Sequence, residues 1–114
     1  MPVTLENVAV DCTNAKALAT FWAAVLSTEV DADANEFFAT LKTGSGPTLM
    51  FLQVPEPRNG KNRLHLDLAT ADWSAEVDRL VGLGAKRLDE HDEYGTHWIT
   101  LADPEGNVFD LARV

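Results

Sequence analysis

One order of apolar, polar and turn-forming residues runs through this sequence twice, and a repeated order restricts the chain to two copies of a single supersecondary unit. A shift of 58 residues lays Asn7 on His65, Val8 on Leu66, Val10 on Leu68, Asn14 on Asp72, Trp22 on Leu80 and Val25 on Leu83. A shift of 60 lays Thr40 on Thr100, Leu41 on Leu101, Gly46 on Gly106, Met50 on Asp110, Phe51 on Leu111 and Val54 on Val114. Identities are few, but the pattern coincides. Each half then reads as strand, helix, strand, strand, strand.

In the first half, Val8 and Val10 share one parity of a strand over residues 5–12, and Thr13 and Asn14 can accept hydrogen bonds from free helix-start amides. Leu18, Phe21, Trp22 and Val25 recur at i, i+3, i+4, i+7, one stripe of a helix that should pack on a sheet. Residues 37–41 and 48–54 are short β-prone runs around Thr43-Gly44-Ser45-Gly46-Pro47, a hairpin signal. Residues 55–62 (PEPRNGKN) read as a linker, so that a single domain over 1–114 consists of a module at about 1–56 and a module at about 62–114. In the second half, Leu64, Leu66 and Leu68 alternate with His65 and Asp67, which predicts a strand over 63–69 with one core face and one polar face. Asp72 can cap a second helix with Trp73, Val77, Leu80 and Val81 on its stripe, and Gly84 is placed to end it. Strands near 97–101 and 108–114 flank Asp103-Pro104-Glu105-Gly106-Asn107, with Pro and Gly at favoured turn positions. The second strand of each half is expected near 29–32 and 86–90. Trp22 and Trp73 are expected in the core.

The 114 residues, 46% hydrophobic and 24% charged, suit one folded domain and exclude a disordered chain. A formal net charge of −9 repels phosphate backbones and anionic lipid, which argues against nucleic-acid and membrane-surface partners. The single cysteine, Cys12, excludes an intramolecular disulfide, and with only three histidines there is no zinc-finger or iron–sulfur set. The start of the chain lacks a basic segment followed by an apolar run, and no stretch of about 18 apolar residues occurs. A reducing, cytoplasmic setting is expected. No phosphate-cradling glycine loop and no nucleophile elbow is present.

The ordered set LENVAVDCTNAKALATFWAAVL, KNRLHLDLATADW and WITLADPEGNVFDL, on a paired strand-helix-strand-strand-strand frame, resembles the vicinal oxygen chelate superfamily of glyoxalase, bleomycin-resistance and extradiol-dioxygenase proteins. Within it the chain looks most like small glyoxalase-like proteins, over essentially its whole length. The resemblance implies an α+β fold in which two βαβββ modules form curved mixed sheets around a cleft, with the helices outside, and it implies a homodimer. In metal-dependent relatives, four strand positions hold a divalent ion; carried over, these are Asn7, Met50, His65 and Asp110. His65 and Asp110 suit a divalent metal, Asn7 offers a neutral carbonyl oxygen, and Met50 offers a thioether that hard or borderline ions bind poorly. A carboxylate is missing where the enzymes need one, so no cofactor is expected; a divalent metal, if held, would use His65, Asp110 and Asn7.

His65 lies opposite three leucines in its strand, and the repeat together with the resemblance favours the cleft over open solvent. Asp67 shares that face and can pair with His65 or with Arg63, or stand as a rim carboxylate. Phe109 and Leu111 flank Asp110 on the other parity, which aims the carboxylate into the cleft, where His65 is its natural partner. Trp98, next to Thr100 and alternating with Ile99 and Leu101, either lines the cleft and stacks on a flat ligand or packs in the core. The acidic run 89–94, with His91, reads as a solvated strand end or loop, and His97 has no assigned role. Cys12 reads as a small buried residue without a base partner. The first functional expectation is a binding module that holds a small organic molecule through Asn7, Met50, His65, Asp67, Trp98 and Asp110. The alternatives are a divalent-metal lyase, isomerase or dioxygenase of the glyoxalase type, and a metal-free acid–base enzyme whose catalytic pair is His65 and Asp110.

Overall fold

The computed structural model describes residues 3–56 and 59–114. Pro57 and Arg58 of the expected linker, and Met1 and Pro2, lie outside the described residues. The chain divides into two compact units, Met1–Arg58 and Asn59–Val114, and each holds its own sheet and helix.

The first unit consists of β1 (Asn7–Cys12), α1 (Ala15–Val25), β2 (Phe38–Leu41) and β3 (Thr48–Gln53). Its sheet order is β1-β3-β2, with β1 parallel and β2 antiparallel to β3. The helix forms where the sequence marks it: the Asn14 side chain accepts from the Ala17 amide at 3.0 Å and satisfies one of the orphan donors at the helix start. Leu18, Phe21, Trp22 and Val25 are all buried against Ala39, Leu41, Leu49 and Phe51 of the sheet residues, and Phe21 meets Trp22 edge-on at 5.3 Å. The strand expected near 29–32 shrinks to one bridge, Val30 to Leu41. Two aspartates explain this: Asp31 spends its side chain on the Thr40 hydroxyl at 2.7 Å, and Asp33 turns the chain at φ 74°, a left-handed value that ends a strand.

The second unit consists of β4 (Asp67–Thr70), α2 (Trp73–Leu83), β5 (Lys86–Glu93), β6 (Thr96–Ala102) and β7 (Val108–Arg113). The sheet order is β4-β7-β6-β5, β4 being parallel to β7 and the other pairs antiparallel. The helices coincide at the shift of 58, and β3 and β7 at the shift of 60. Phe109, Leu111, Ile99 and Leu101 are buried on one face of the sheet with Val77 and Leu80 of α2. At the β6–β7 turn, Asp103 is buried because its Oδ1 accepts from the Glu105 and Asn107 amides at 2.9 and 3.0 Å, which offsets the cost of removing a carboxylate from water. Among the described residues no helix is long and apolar enough to cross a membrane.

Four expectations for this unit need correction. β4 begins at Asp67, not at Arg63, and Leu64 is 63% exposed, because alternation shows which face a residue would take but not whether a partner strand is there. Leu66 and Leu68 are only half-buried. The ladder opens with Asp110 N–H donating to the Leu66 carbonyl at 3.0 Å, while one step earlier the Asn62 side chain stands in for a strand, accepting from Val108 N–H at 2.8 Å and donating to Val108 O at 3.1 Å. Asp72 occupies the α2 cap position without a side-chain cap bond; its own amide donates to the Thr70 hydroxyl at 3.2 Å. Trp73 is half-buried, not core: at the first helical position it overhangs the sheet end, its Nε1 donating to Leu111 O at 3.3 Å and its ring set against His97 at 4.2 Å. Val81 is 45% exposed.

Candidate functional site

Strand parity sends Phe109 and Leu111 to the helix-covered face, so Asp110 and Ala112 project from the other. Register then places Asp67 directly beside Asp110, and Thr100 beside it on the far side. Two carboxylates opposite each other repel, and two groups relieve this. The Thr100 hydroxyl donates to Asp110 Oδ1 at 2.6 Å. His65, two residues before Asp67 on the same face, sets Nε2 3.2 Å from Asp67 Oδ1 and 3.4 Å from Asp110 Oδ2. A protonated imidazole there offsets the repulsion between the two carboxylates. The ligand-type atoms of His65, Asp67 and Asp110 all lie within 4.8 Å of one another.

Beside this cluster the second unit has a cavity of about 330 Å3. His65, Asp67 and Asp110 form one wall, Trp98 and Ala112 line it, and the β5–β6 turn with Glu93 and Tyr94 closes another side. His91, the register partner of Trp98, stacks on the indole at 5.0 Å with 22° between the planes. That stack fixes the ring.

The structure therefore brings together four of the residues singled out in the sequence: His65, Asp67, Trp98 and Asp110. Asp67 takes His65 as its partner instead of Arg63. Asn7 and Met50 belong to the first unit, where they share one face of its sheet, Asn7 exposed at the start of β1 and Met50 half-buried beside Ala9 and Thr40. The equivalent threonines expose the divergence between the halves. Thr100 donates to Asp110, whereas Thr40, with Met50 across from it, donates to Asp31 on the other side. The Thr40 hydroxyl, and then Lys42, hold the Asp31 carboxyl below its usual value.

Sequence reasoning missed Thr100, Glu93, Tyr94 and the seat of His91. The shift of 60 that lays Thr40 on Thr100 and Met50 on Asp110 contained the signal for Thr100. The run 89–94 is the solvated strand end expected: residues up to Glu93 form the exposed edge strand β5, and Tyr94-Gly95 is a two-residue turn with φ 55° and 72°. His97 lies on the helix-covered face, where its Nε2 is 2.7 Å from Glu90; that bond, with Arg87 on the other oxygen, holds the Glu90 carboxyl below its usual value.

A model of the glyoxalase-like domain matches residues 7–112, and the chain belongs to that family, within the vicinal oxygen chelate superfamily. A glyoxalase/bleomycin resistance protein/dioxygenase family enzyme from Burkholderia phytofirmans PsJN has the same fold, with TM-score 0.76, 22% identity, and 98% of this chain and 99% of that one covered. A glyoxalase-related enzyme from Fulvimarina pelagi matches with TM-score 0.76 and 15% identity over 97% and 88% of the two chains. A lactoylglutathione lyase from Agrobacterium tumefaciens matches with TM-score 0.64 and 20% identity over 98% and 94%. No curated protein sequence matches the chain significantly.

Tyr94 breaks a local rule at the mouth of the cavity. Two positive φ values in a two-residue hairpin favour Asn-Gly or Gly-Gly, and a bulky side chain in this conformation costs about 1 kcal/mol. The side chain is 95% exposed, so no packing offsets that cost. Tyr94→Asn is therefore expected to raise the thermal unfolding midpoint by a few degrees in calorimetry; a fall would show that the phenol supports the fold.

Proposed function

We propose that the protein binds a small organic molecule in the cavity of its second unit. One observation carries the reading: a concave site in which a fixed aromatic ring, Trp98, lies beside a convergent polar cluster, His65, Asp67 and Asp110. Pockets of roughly 300–1,000 Å3 with an apolar floor and a few placed polar groups are the usual form of small-molecule sites. In this reading Trp98 takes the flat or apolar part of the ligand and the cluster orients its polar group. The imidazole of His65 stands within 3.4 Å of both carboxylates, and the Thr100 hydroxyl donates to Asp110 Oδ1.

A second reading is favoured by Asp67. The relatives' ion positions fall here on Asn7, Met50, His65 and Asp110, of which only two are strong donors, but Asp67 adds a third next to them. One imidazole nitrogen and two carboxylate oxygens within 4.8 Å fit a borderline divalent ion with open positions. Such an ion, when bound, would polarise oxygen atoms of a substrate; His65, Asp67 and Asp110 would hold it, and Thr100 would orient Asp110. The two readings separate by metal analysis of protein purified without chelator. The binding reading expects well under one equivalent of Zn, Mn, Fe or Ni. One equivalent, lost in Asp67→Asn, would establish the metal reading in its place. NMR of the 15N-labelled chain with a panel of flat bicyclic aromatics should move the amides around Trp98 and Asp110, an effect lost in Trp98→Ala. No shift there would contradict a ligand site.

We extend this reading to a cytoplasmic homodimer; a fold that buries its single cysteine and uses no disulfide suits a reducing setting. Sedimentation equilibrium at micromolar concentration should give twice the 12.5 kDa of one chain; the mass of one chain would contradict it.

A further inference from the structure

We infer that the cavity of the second unit selects flat organic cations over neutral and anionic molecules of the same shape. The inference rests on the reading of this cavity as a ligand site and adds the charge of what it takes. Three carboxylates, Asp67, Glu93 and Asp110, line the cavity, while no lysine or arginine among the described residues does. Among the described residues His65 supplies the one basic group of the wall, which is then net negative in either of its protonation states. Glu93 forms no ion pair among the described residues, which leaves a full charge for a ligand to meet.

The apolar part of the wall has the same preference. Trp98 presents an aromatic ring, whose face carries the negative end of the ring quadrupole and attracts ammonium or other organic cations. A cation that lies on the indole meets a wall of opposite net charge. An anion would instead bring a like charge against Asp67, Glu93 and Asp110. The −9 net charge of the chain adds a field of the same sign at longer range.

Three naphthalenes of one shape test this by calorimetry in EDTA, which removes divalent metal as a rival cation: 2-naphthylmethylammonium, 2-naphthylmethanol and 2-naphthoate. The ammonium compound is expected to bind about tenfold or more tighter than the alcohol, and the carboxylate more weakly than either. Asp67→Asn and Glu93→Gln should each weaken the ammonium compound about three- to tenfold and the alcohol by a smaller factor. Both side chains are exposed and neither packs in the core, so the variants should fold. Equal affinities, or tighter binding of 2-naphthoate, would overturn the cation preference while leaving the ligand site in place. Binding of none of the three would overturn both.

Discussion

The second unit is organised around a repulsion that its own fold creates. Parallel pairing of β4 with β7 puts Asp67 directly opposite Asp110, an arrangement that destabilises a sheet when the charges are left alone. Nothing in the ladder requires two acids at that point. They are tolerated because His65 Nε2 reaches both and because Thr100, one strand further on, donates to Asp110. A sheet that keeps two like charges in register and then supplies donors to manage them has the marks of a site maintained at some expense of stability.

The scaffold makes this local arrangement rigid. On β7 the buried Phe109 and Leu111 fix the strand against α2 and the inner face of β6, and because successive side chains alternate, the same contacts fix where Asp110 points. Asn62 adds a second anchor: its amide pairs with both backbone groups of Val108 and also donates to Leu64 O at 2.6 Å, so the segment that carries His65 is tied to the start of β7 before the regular ladder begins. The His91 stack does for Trp98 what Asn62 does for His65. Each chemically useful side chain is held by a neighbour with no direct part in the cluster.

Much of this was legible in the sequence, for a physical reason that differs between elements. The helices follow from apolar spacing and the Asn14 and Gly84 signals, and the alternation of Phe109, Asp110 and Leu111 gave the correct face for the carboxylate. Parity alone could not tell that Arg63 to Leu66 lack a partner for most of their length, or that Asp67 would join His65 and Asp110. That depends on register, which is set by tertiary pairing. Val30 illustrates the opposite failure, since the second unit builds an eight-residue strand where two aspartates in the first leave only a bridge. Tyr94 escaped notice because it occupies a turn position that sequence preference assigns to glycine or asparagine.

The central claim is that Asp110 is held by the fold for a ligand and does not hold the fold together. Urea unfolding of Asp110→Ala beside Phe109→Ala, adjacent residues on opposite faces of one strand, tests it most directly. Removing the carboxylate loses the Thr100 bond but also relieves the repulsion from Asp67, so the cost should be about 1 kcal/mol or less. Removing the buried ring should cost about 3–5 kcal/mol. An Asp110→Ala loss as large as that of Phe109→Ala would make the carboxylate a structural post and contradict the account.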